Sequence, residues 1–445
     1  MSVLAGINYV NMMKSTNRAN IRVINGSFGV TNDFPASETP AQHQAFFPEL
    51  RNAIQTAGGN GILYVAAAGN STLISGGKGI DNDNGFGLPV IKQFIYPAKY
   101  DLANIVTVAN TTASDGLANS SSFGLTTTDL GAPGESVYST IRNGGYGELS
   151  GTSMAAPHVA GTAALMFTVY GIGTVQDIKS DLMNSVDAAS ALAGKTVTGG
   201  RLNAGNAVLR TSNRAFVEKV YNDVLYHSAV QSGIDYWAGL LNAGSSRAAV
   251  ANGIYNSDER VNHFIHSLYK GYLGRVNGAS QPEVDFWRNT YRSTGITIEN
   301  LRAQFLASDE FYGRTGGTQY AWISGIYSIG LGRNFTTTPG EINHWINYMN
   351  GGGFSRVQVA EAFMLSQEAQ LTTIQSFYTT LSSVPGGYNA DFLKTQQNPS
   401  LLMRGAGATQ SELLFWYNHK LSNNLRAEDI AMLFLQSNEY NVRVV

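Results

Sequence analysis

The residues best suited to carry chemistry lie in the glycine-rich segment GTSMAAPHVAG at 151–161, where a serine stands at the expected start of a helix. Free backbone N–H groups at a helix start point towards a group bound there, and the helix dipole favours negative charge at that end. Pro157 fits the first turn, because its missing N–H would have had no helical partner. Ser153 is therefore a candidate nucleophile. An ordinary helix cap is the alternative interpretation.

A second candidate side chain follows the apolar run Ile62 to Ala68, which ends at Gly69 and Asn70. If this run is a strand, the Asn70 amide lies at the carboxyl edge of a sheet, where α/β folds bind ligands. An amide at that edge can donate to an oxyanion together with the Ser153 backbone N–H. A plain turn residue after a glycine is the alternative.

A third segment, Ser27, Phe28 and Gly29, follows a short β-rich run at Ile21 to Ile24. Its two outer positions carry little side-chain bulk. Backbone groups there are free to pair with an extended peptide, so the segment is a candidate substrate-binding strand.

Alternating helices and strands must position these residues. Continuous apolar runs of strand length recur among helix-like segments over residues 1–210. Strands that are apolar on both faces and separated by helices favour a parallel α/β sheet. The expected strands are Ile21 to Ile24, Ile62 to Ala68 and Ile105 to Ala109, and the expected helices include 4–13, Glu49 to Ala57 and Ser153 to Tyr170.

Composition excludes several function classes. The net charge of -2 gives no reason to expect nucleic acid as a partner, and the absence of cysteine excludes disulfides, zinc-thiolate sites and a thiol nucleophile. The longest apolar run, Ile62 to Ala68, is too short to span a bilayer, and the first ten residues do not resemble a signal peptide. Only 13% of residues are charged, which suits a secreted protein whose export signal lies outside this sequence.

After about Arg210 the sequence changes to aromatic-rich amphipathic helices with an internal repeat. Four tryptophans are each followed 20 or 21 residues later by a serine. The pairs are Trp237 and Ser257, Trp287 and Ser308, Trp345 and Ser366, and Trp416 and Ser437. A tyrosine precedes each of the first three tryptophans, at Tyr221, Tyr269 and Tyr327, and Leu-Gly-Arg recurs at 273–275 and 331–333. The pattern predicts about four copies of a helical module over 211–445, with an insertion in the fourth at Gln396 to Gly407.

Residues 1–210 resemble the subtilisin-like (subtilase) family of serine peptidases. The motifs that carry the resemblance are VINGSFG at 23–29, ILYVAAAGN at 62–70, YPAKYDLANIVTVA at 96–109, LGAPGESVYST at 130–140, GTSMAAPHVAG at 151–161 and GGRLNAGNAV at 199–208. By this resemblance Ser153 is the nucleophile and Asn70 the oxyanion-hole amide. Ser27, Phe28, Gly29 and Gly69 bind the substrate backbone.

The family's triad order of Asp, His and Ser places its acid and base upstream of this sequence, because residues 1–22 already match the helix before VINGSFG. We therefore expect this chain to lack both groups. His158 lies about 140° around the helix from Ser153 and is not expected to replace the base. His43, in a loop, is a weak substitute, and the other histidines lie in the repeat module without a motif.

No cofactor or metal site is predicted. The segment Asp81 to Gly85 has the composition of a calcium loop but lacks the glycine at position six and the glutamate at position twelve of an EF-hand. We interpret it as a turn.

The repeats resemble a domain of unknown function found in tandem in bacterial secreted and surface proteins. Tryptophan and tyrosine at helical spacing are typical of a core rather than of ligand-stacking groups. A role of the repeats in binding or anchoring the protein rests on analogy alone.

Taken together, the sequence predicts a partial subtilisin-like parallel sheet with flanking helices, followed by an all-α repeat domain. The predicted function is extracellular serine endopeptidase activity on polypeptide substrates, with this chain inactive alone. The alternative is a non-catalytic binding or surface-anchoring protein that retains a degenerate peptidase half. No membrane span and no nucleic-acid partner are expected. The expected ligand of the repeats is a surface or a polymer.

Overall fold

The computed structural model describes residues 2–35, 37, 39, 42, 45–71, 75–88, 91–333, 337–376, 408–437 and 440. The chain divides into two compact units, Met1–Ala215 and Phe216–Val445. Within the described ranges, no helix is both long enough and apolar enough to cross a membrane.

The first unit is built on a six-stranded sheet of order β1-β3-β6-β7-β11-β10. Its first five strands pair in parallel, and β10 pairs antiparallel with β11 at one end. Two small antiparallel sheets, β2-β5-β4 and β8-β9, complete the unit. The strands are β1 (Val23–Gly26), β2 (Val30–Pro35), β3 (Leu63–Ala67), β4 (Phe86–Leu88), β5 (Ile91–Tyr96), β6 (Ile105–Thr111), β7 (Leu130–Pro133), β8 (Val137–Thr140), β9 (Tyr146–Leu149), β10 (Asp187–Ala188) and β11 (Gly200–Arg201).

Helices cover both faces of the large sheet, which explains the unbroken apolar runs. Leu63, Val65 and Ala67 of β3 pack into a core with the helix α3, while the alternate residues Tyr64 and Ala66 pack into a second core on the opposite face. The predicted parallel α/β sheet is confirmed. The helices are α1 (Val3–Ser15), α2 (Pro48–Gly59), α3 (Thr152–Val169), α4 (Val175–Met183) and α5 (Ala204–Leu225), with short 3₁₀ turns at Arg142–Gly144 and Ser190–Leu192.

Strand β1 lies at the edge of the sheet. It pairs with β3 from Val23 to Gly26, and no other strand in the described part of the unit pairs with its far side. An edge strand offers a row of free backbone donors and acceptors to other chains.

We expect residues 1–210, expressed alone, to be insoluble or molten because the β1 edge promotes association between chains. Fusion to a preceding segment that adds a neighbouring strand should restore a soluble, cooperatively folded domain. Soluble yield and the sharpness of the thermal transition measure this, with residues 204–445, which keep the whole helix Ala204–Leu225, expressed in parallel as the control. A sharp melt of the isolated segment would show that the edge is harmless.

The second unit is helical, with a π-helical turn at Ile326–Gly330. Two hydrophobic cores organise it: one joins residues of 261–364, and the other joins residues of 216–255 with residues of 374–440. The insertion predicted at Gln396 to Gly407 lies outside the described residues. The helices are α6 (Gln231–Asn242), α7 (Arg247–Tyr255), α8 (Asp258–Gly271), α9 (Gln281–Thr294), α10 (Ile298–Ala307), α11 (Asp309–Arg314), α12 (Gln319–Gly325), α13 (Pro339–Gly352), α14 (Arg356–Met364), α15 (Gln367–Ser376), α16 (Gln410–Ser422) and α17 (Ala427–Gln436).

The conserved spacing within the repeats has a structural cause. In three copies the tryptophan indole N–H donates to the hydroxyl of the upstream tyrosine: Trp237 to Tyr221 at 3.2 Å, Trp287 to Tyr269 at 3.1 Å and Trp345 to Tyr327 at 3.0 Å. In all four copies the serine hydroxyl accepts from the backbone N–H three residues later: Arg260, Phe311, Ala369 and Tyr440. The repeat residues therefore close turns and cap helices.

Candidate active site

Ser153 is the second residue of α3. The residue that caps the helix is Gly151, whose φ of 147° lies where glycine is favoured, and a Cβ there would stand 3.1 Å from the Asn70 amide. The alternative in which Ser153 merely caps the helix is therefore wrong. Its position in the first turn leaves the Ser153 side chain available for another role.

The Ser153 hydroxyl is hydrogen-bonded to the candidate substrate-binding segment. Its Oγ donates to the Ser27 carbonyl oxygen at 3.0 Å, and the Ser27 hydroxyl donates to the Ser153 carbonyl oxygen at 2.9 Å. This reciprocal pair fixes the candidate nucleophile against the end of β1. The Ser153 backbone N–H has no partner within the described ranges, as expected for the first turn of a helix.

Asn70 is oriented by the residue next to Ser153. Its Oδ1 accepts from the Thr152 N–H at 2.9 Å and from the Thr152 hydroxyl at 3.2 Å. Since the oxygen is engaged on Thr152, the remaining donor is Nδ2, which has no recorded partner among the described residues. Asn70 Nδ2 and the Ser153 N–H are thus two donors without a partner among the described residues, and both belong to residues next to or bonded to Thr152.

Thr152 is the functional residue that sequence reasoning missed. It is fully buried, and its Oγ1 also accepts from the Gly69 N–H at 3.1 Å. One hydroxyl therefore joins the end of β3 to the start of α3. Its place beside the candidate nucleophile, in the same motif, was the available signal.

Ser27, Phe28 and Gly29 lie between β1 and β2, outside both strands. Gly29 is exposed, and a Cβ there would come within 2.9 Å of the Ile95 side chain. At Gly69, where φ is 101°, a Cβ would come within 2.3 Å of the same side chain. Both glycines therefore let the backbone pass close to Ile95.

A cavity of about 380 Å³ opens beside Ser153. Its walls come from the first two turns of α3 and from the β8-β9 hairpin, including Tyr138 and Leu149, both of which are exposed. Tyr138 stacks on Tyr146 of the facing strand with ring centroids 5.9 Å apart. The hairpin thus presents an apolar wall to whatever lies over Ser153.

No histidine among the described residues hydrogen-bonds to the Ser153 hydroxyl. His158 borders the same cavity but is exposed, and its Nδ1 lies 2.9 Å from the Met154 carbonyl oxygen. His43 lies outside the described residues.

The segment Asp81 to Gly85 forms a turn whose carboxylates are already engaged. Asp81 accepts from the Asp83 N–H and the Asn84 amide, and Asp83 accepts from Thr126 and Thr127. Burial opposes ionisation of Asp83, but the hydrogen bonds from the two threonines outweigh it and lower the pKa of the carboxyl below its usual value. These hydrogen bonds hold both carboxylates in place within and beside the turn.

Two different family models match this chain, one towards each end. Residues 3–213 match the model of the subtilase family, and residues 205–264 and 302–373 match a domain of unknown function (DUF4214). The resemblances expected from the sequence are confirmed.

Individual relatives match the first unit in part. Subtilisin DY of Bacillus licheniformis is 38% identical over 136 residues, covering 31% of this chain and 43% of that protein. Thermitase of Thermoactinomyces vulgaris is 35% identical over 159 residues, covering 36% and 48%. The chain thus spans less than half the length of these relatives. Among solved structures, the prenylagaramide maturation protease PagA aligns over 47% of this chain and 68% of its own, with 23% identity and a TM-score of 0.35.

Proposed function

We propose that residues 3–213, which match the model of the subtilase family, supply the nucleophile and the oxyanion-binding groups of a serine endopeptidase. The observation that carries this proposal is a serine hydroxyl at a helix N-terminus together with two donors, Asn70 Nδ2 and the Ser153 N–H, that have no partner in the described part of the chain. Hydrogen-bond donors fixed in advance around a reacting carbonyl stabilise the charge that develops on its oxygen.

In the proposed reaction, a polypeptide lies along Ser27, Phe28 and Gly29 in extended conformation. Ser153 Oγ attacks the scissile carbonyl carbon while a histidine takes the hydroxyl proton, and the new oxyanion accepts from Asn70 Nδ2 and the Ser153 N–H. Collapse of the intermediate expels the amine, which receives the proton from the histidine. Water then hydrolyses the acyl-enzyme by the same route.

The base and the acid that orients it come, in this proposal, from a segment that precedes residue 1 in an intact enzyme. Two observations support it. The Ser153 hydroxyl donates to the Ser27 carbonyl oxygen at 3.0 Å rather than to a histidine, and the chain spans less than half of its curated relatives. The 445-residue chain is accordingly proposed to be inactive alone.

Restoring an amino-terminal subtilase half that carries the acid and base tests this function. We expect the fusion to cleave casein and to be labelled by a fluorophosphonate probe, and to lose both on Ser153→Ala. Replacing Asn70 with alanine should lower kcat by about 10²–10³-fold, the usual effect of removing one oxyanion donor. Casein turnover and labelling of Ser153 are the measurements. A fusion that folds cooperatively but stays silent would contradict the proposal.

The second candidate function is binding, by the repeat unit. Its supporting observation is an exposed aromatic side chain immediately before each of three repeat tryptophans: Tyr236, Phe286 and Phe415 are 61%, 61% and 60% exposed. Exposed rings of this kind are enriched in interaction sites. If the fusion with an amino-terminal subtilase half folds but neither cleaves casein nor reacts with the probe, this binding role is favoured. The ligand would then be a surface or polymer, and the peptidase half would serve as a scaffold.

We propose an extracellular location for either function. Subtilases usually act outside the cell, and the surface of this chain is largely polar and uncharged, with only 13% charged residues in total.

A further inference from the structure

In two of the repeats an arginine forms ion pairs with two glutamates, an arrangement that we call the clamp. The first repeat differs from the other two at this place. Six residues after Tyr269 lies Arg275, which donates to Glu283 at 2.7 Å and, through two nitrogens, to Glu310 at 2.6 Å. Six residues after Tyr327 lies Arg333, which makes the same contacts with Glu341 at 2.9 Å and with Glu368 at 2.6 and 2.5 Å. Each guanidinium thus holds two carboxylates together.

The first repeat keeps the register but changes the chemistry. Its tyrosine and tryptophan form the same hydrogen bond, yet six residues after Tyr221 the arginine is replaced by His227. Glu259 takes the place of Glu310 and Glu368, two residues after the capping serine. The position of the other carboxylate, four residues before the tryptophan, is Gly233. The first repeat therefore has one of the two glutamates of the clamp, Glu259, but a histidine in place of the permanently charged arginine.

A second imidazole occupies the same place. His263 lies four residues after Glu259 on α8, one turn along the same face. In the two clamped repeats this position is Arg314 or Thr372. The ligand atoms of His227, Glu259 and His263 all lie within 4.8 Å of one another. His227 Nε2 is 2.8 Å from Glu259 Oε1, and the two imidazole centroids are 5.8 Å apart.

We propose that His227, Glu259 and His263 bind a divalent transition-metal ion of the Zn²⁺ class, which takes the place that the guanidinium occupies in the other two repeats. Two imidazoles and one carboxylate suit Zn²⁺ and its neighbours, with water in the open position. Ca²⁺ and Mg²⁺ require mainly oxygen ligands and are poorly matched.

The surroundings of His227 fit this role. Its Nδ1 donates to the Ser228 carbonyl oxygen at 2.8 Å, and its Nε2 donates to Glu259 at 2.8 Å. Loss of the Nε2 proton would leave a lone pair on that nitrogen for a metal ion bound beside Glu259. Metal-binding histidines are usually held by such a bond from the second nitrogen. No protein group within the described ranges hydrogen-bonds to the ring nitrogens of His263, and exposed Glu259 leaves the cluster open to solvent.

The competing interpretation is an ion pair between protonated His227 and Glu259. That pair needs no contribution from His263, so two variants separate the interpretations. His263→Ala removes one metal ligand and leaves the pair intact. His227→Arg rebuilds the clamp cation of the other repeats, so the unit should fold while losing an imidazole. His344→Ala, an exposed histidine on α13 of the same unit, is the control.

The test titrates the untagged full-length chain, stripped of metal with EDTA and dialysed, with ZnCl₂ by calorimetry and with CoCl₂ by visible absorption. We expect one Zn²⁺ per chain and Co²⁺ bands typical of nitrogen and oxygen ligands. Affinity should fall at least about tenfold in His263→Ala and His227→Arg and stay unchanged in His344→Ala. Zn²⁺ should raise the melting temperature of the wild type but not of His227→Arg. No binding at millimolar Zn²⁺, or equal affinity in the wild type and both cluster variants, would overturn the proposal.

Discussion

The 445-residue chain alone should leave casein intact and should not react with a fluorophosphonate probe. If the chain lacks a base, as we propose, Ser153 remains a protonated alcohol, and such a hydroxyl is a weak nucleophile. Its Oγ donates to the Ser27 carbonyl oxygen. In subtilisin itself, loss of the nucleophile or the base costs about a million-fold in turnover. With an intact cleft, the oxyanion donors and substrate binding leave a residual of roughly 10³–10⁴-fold over water.

The measurement compares the chain with its Ser153→Ala variant, using probe labelling on a gel and casein hydrolysis over many hours. Subtilisin DY at equal concentration shows that probe and substrate are competent. Labelling of the wild-type chain but not of Ser153→Ala would reveal a substitute base. His158, which borders the cavity beside Ser153, and His43 would then be the first histidines to replace.

Burial explains which parts of the fold could be predicted. The strands β3 and β6 are buried along their whole length, so their sequences are continuous apolar runs that indicate a sheet covered on both faces. The strand β9, in contrast, is largely exposed and consists of the unremarkable tetrapeptide Tyr146–Leu149. It exists because its backbone pairs with β8, a contact that leaves no hydrophobic pattern in the sequence.

The candidate site was predictable to the extent that its residues lie in motifs. Ser153 and Asn70 were identified from two separate segments, and the structure brings them together through Thr152, which accounts for their mutual position. The signal for Thr152 is weak: it stands beside Ser153 in the same motif, but a threonine at a helix start is common in any fold. Its role depends on a contact between residues more than eighty positions apart.

The histidine cluster could not be predicted from local sequence for a different reason. His227 lies 32 residues from Glu259, and neither residue belongs to a recognised metal-binding spacing. The fold brings the three side chains within 4.8 Å of one another, and the equivalence with the arginine clamps of the other two repeats indicates what they replace. Three-dimensional equivalence between repeats thus carries information that the residues of one copy do not.

Replacing Trp287 with alanine should lower the free energy of unfolding of the repeat unit by about 3–5 kcal/mol. The Trp287 ring packs against Phe305, with centroids 5.1 Å apart, and its indole N–H donates to Tyr269. Truncation removes both contacts and leaves a cavity beside the core of residues 261–364. The adjacent Phe286 is 61% exposed, so Phe286→Ala is a matched control that should change stability by only about 0.5 kcal/mol.

Urea unfolding of residues 204–445, followed by circular dichroism and tryptophan emission, measures the difference, and this fragment keeps the whole of α5. We expect the fragment to fold alone as a helical protein with blue-shifted emission, because its repeat tryptophans pack against apolar cores. Trp287→Ala should shift the midpoint to much lower urea without a change in slope, whereas Phe286→Ala should overlay the parent. If both variants were as stable as the parent, the tryptophan would not be a core residue, and the repeat would present two adjacent aromatic rings to a ligand instead of one.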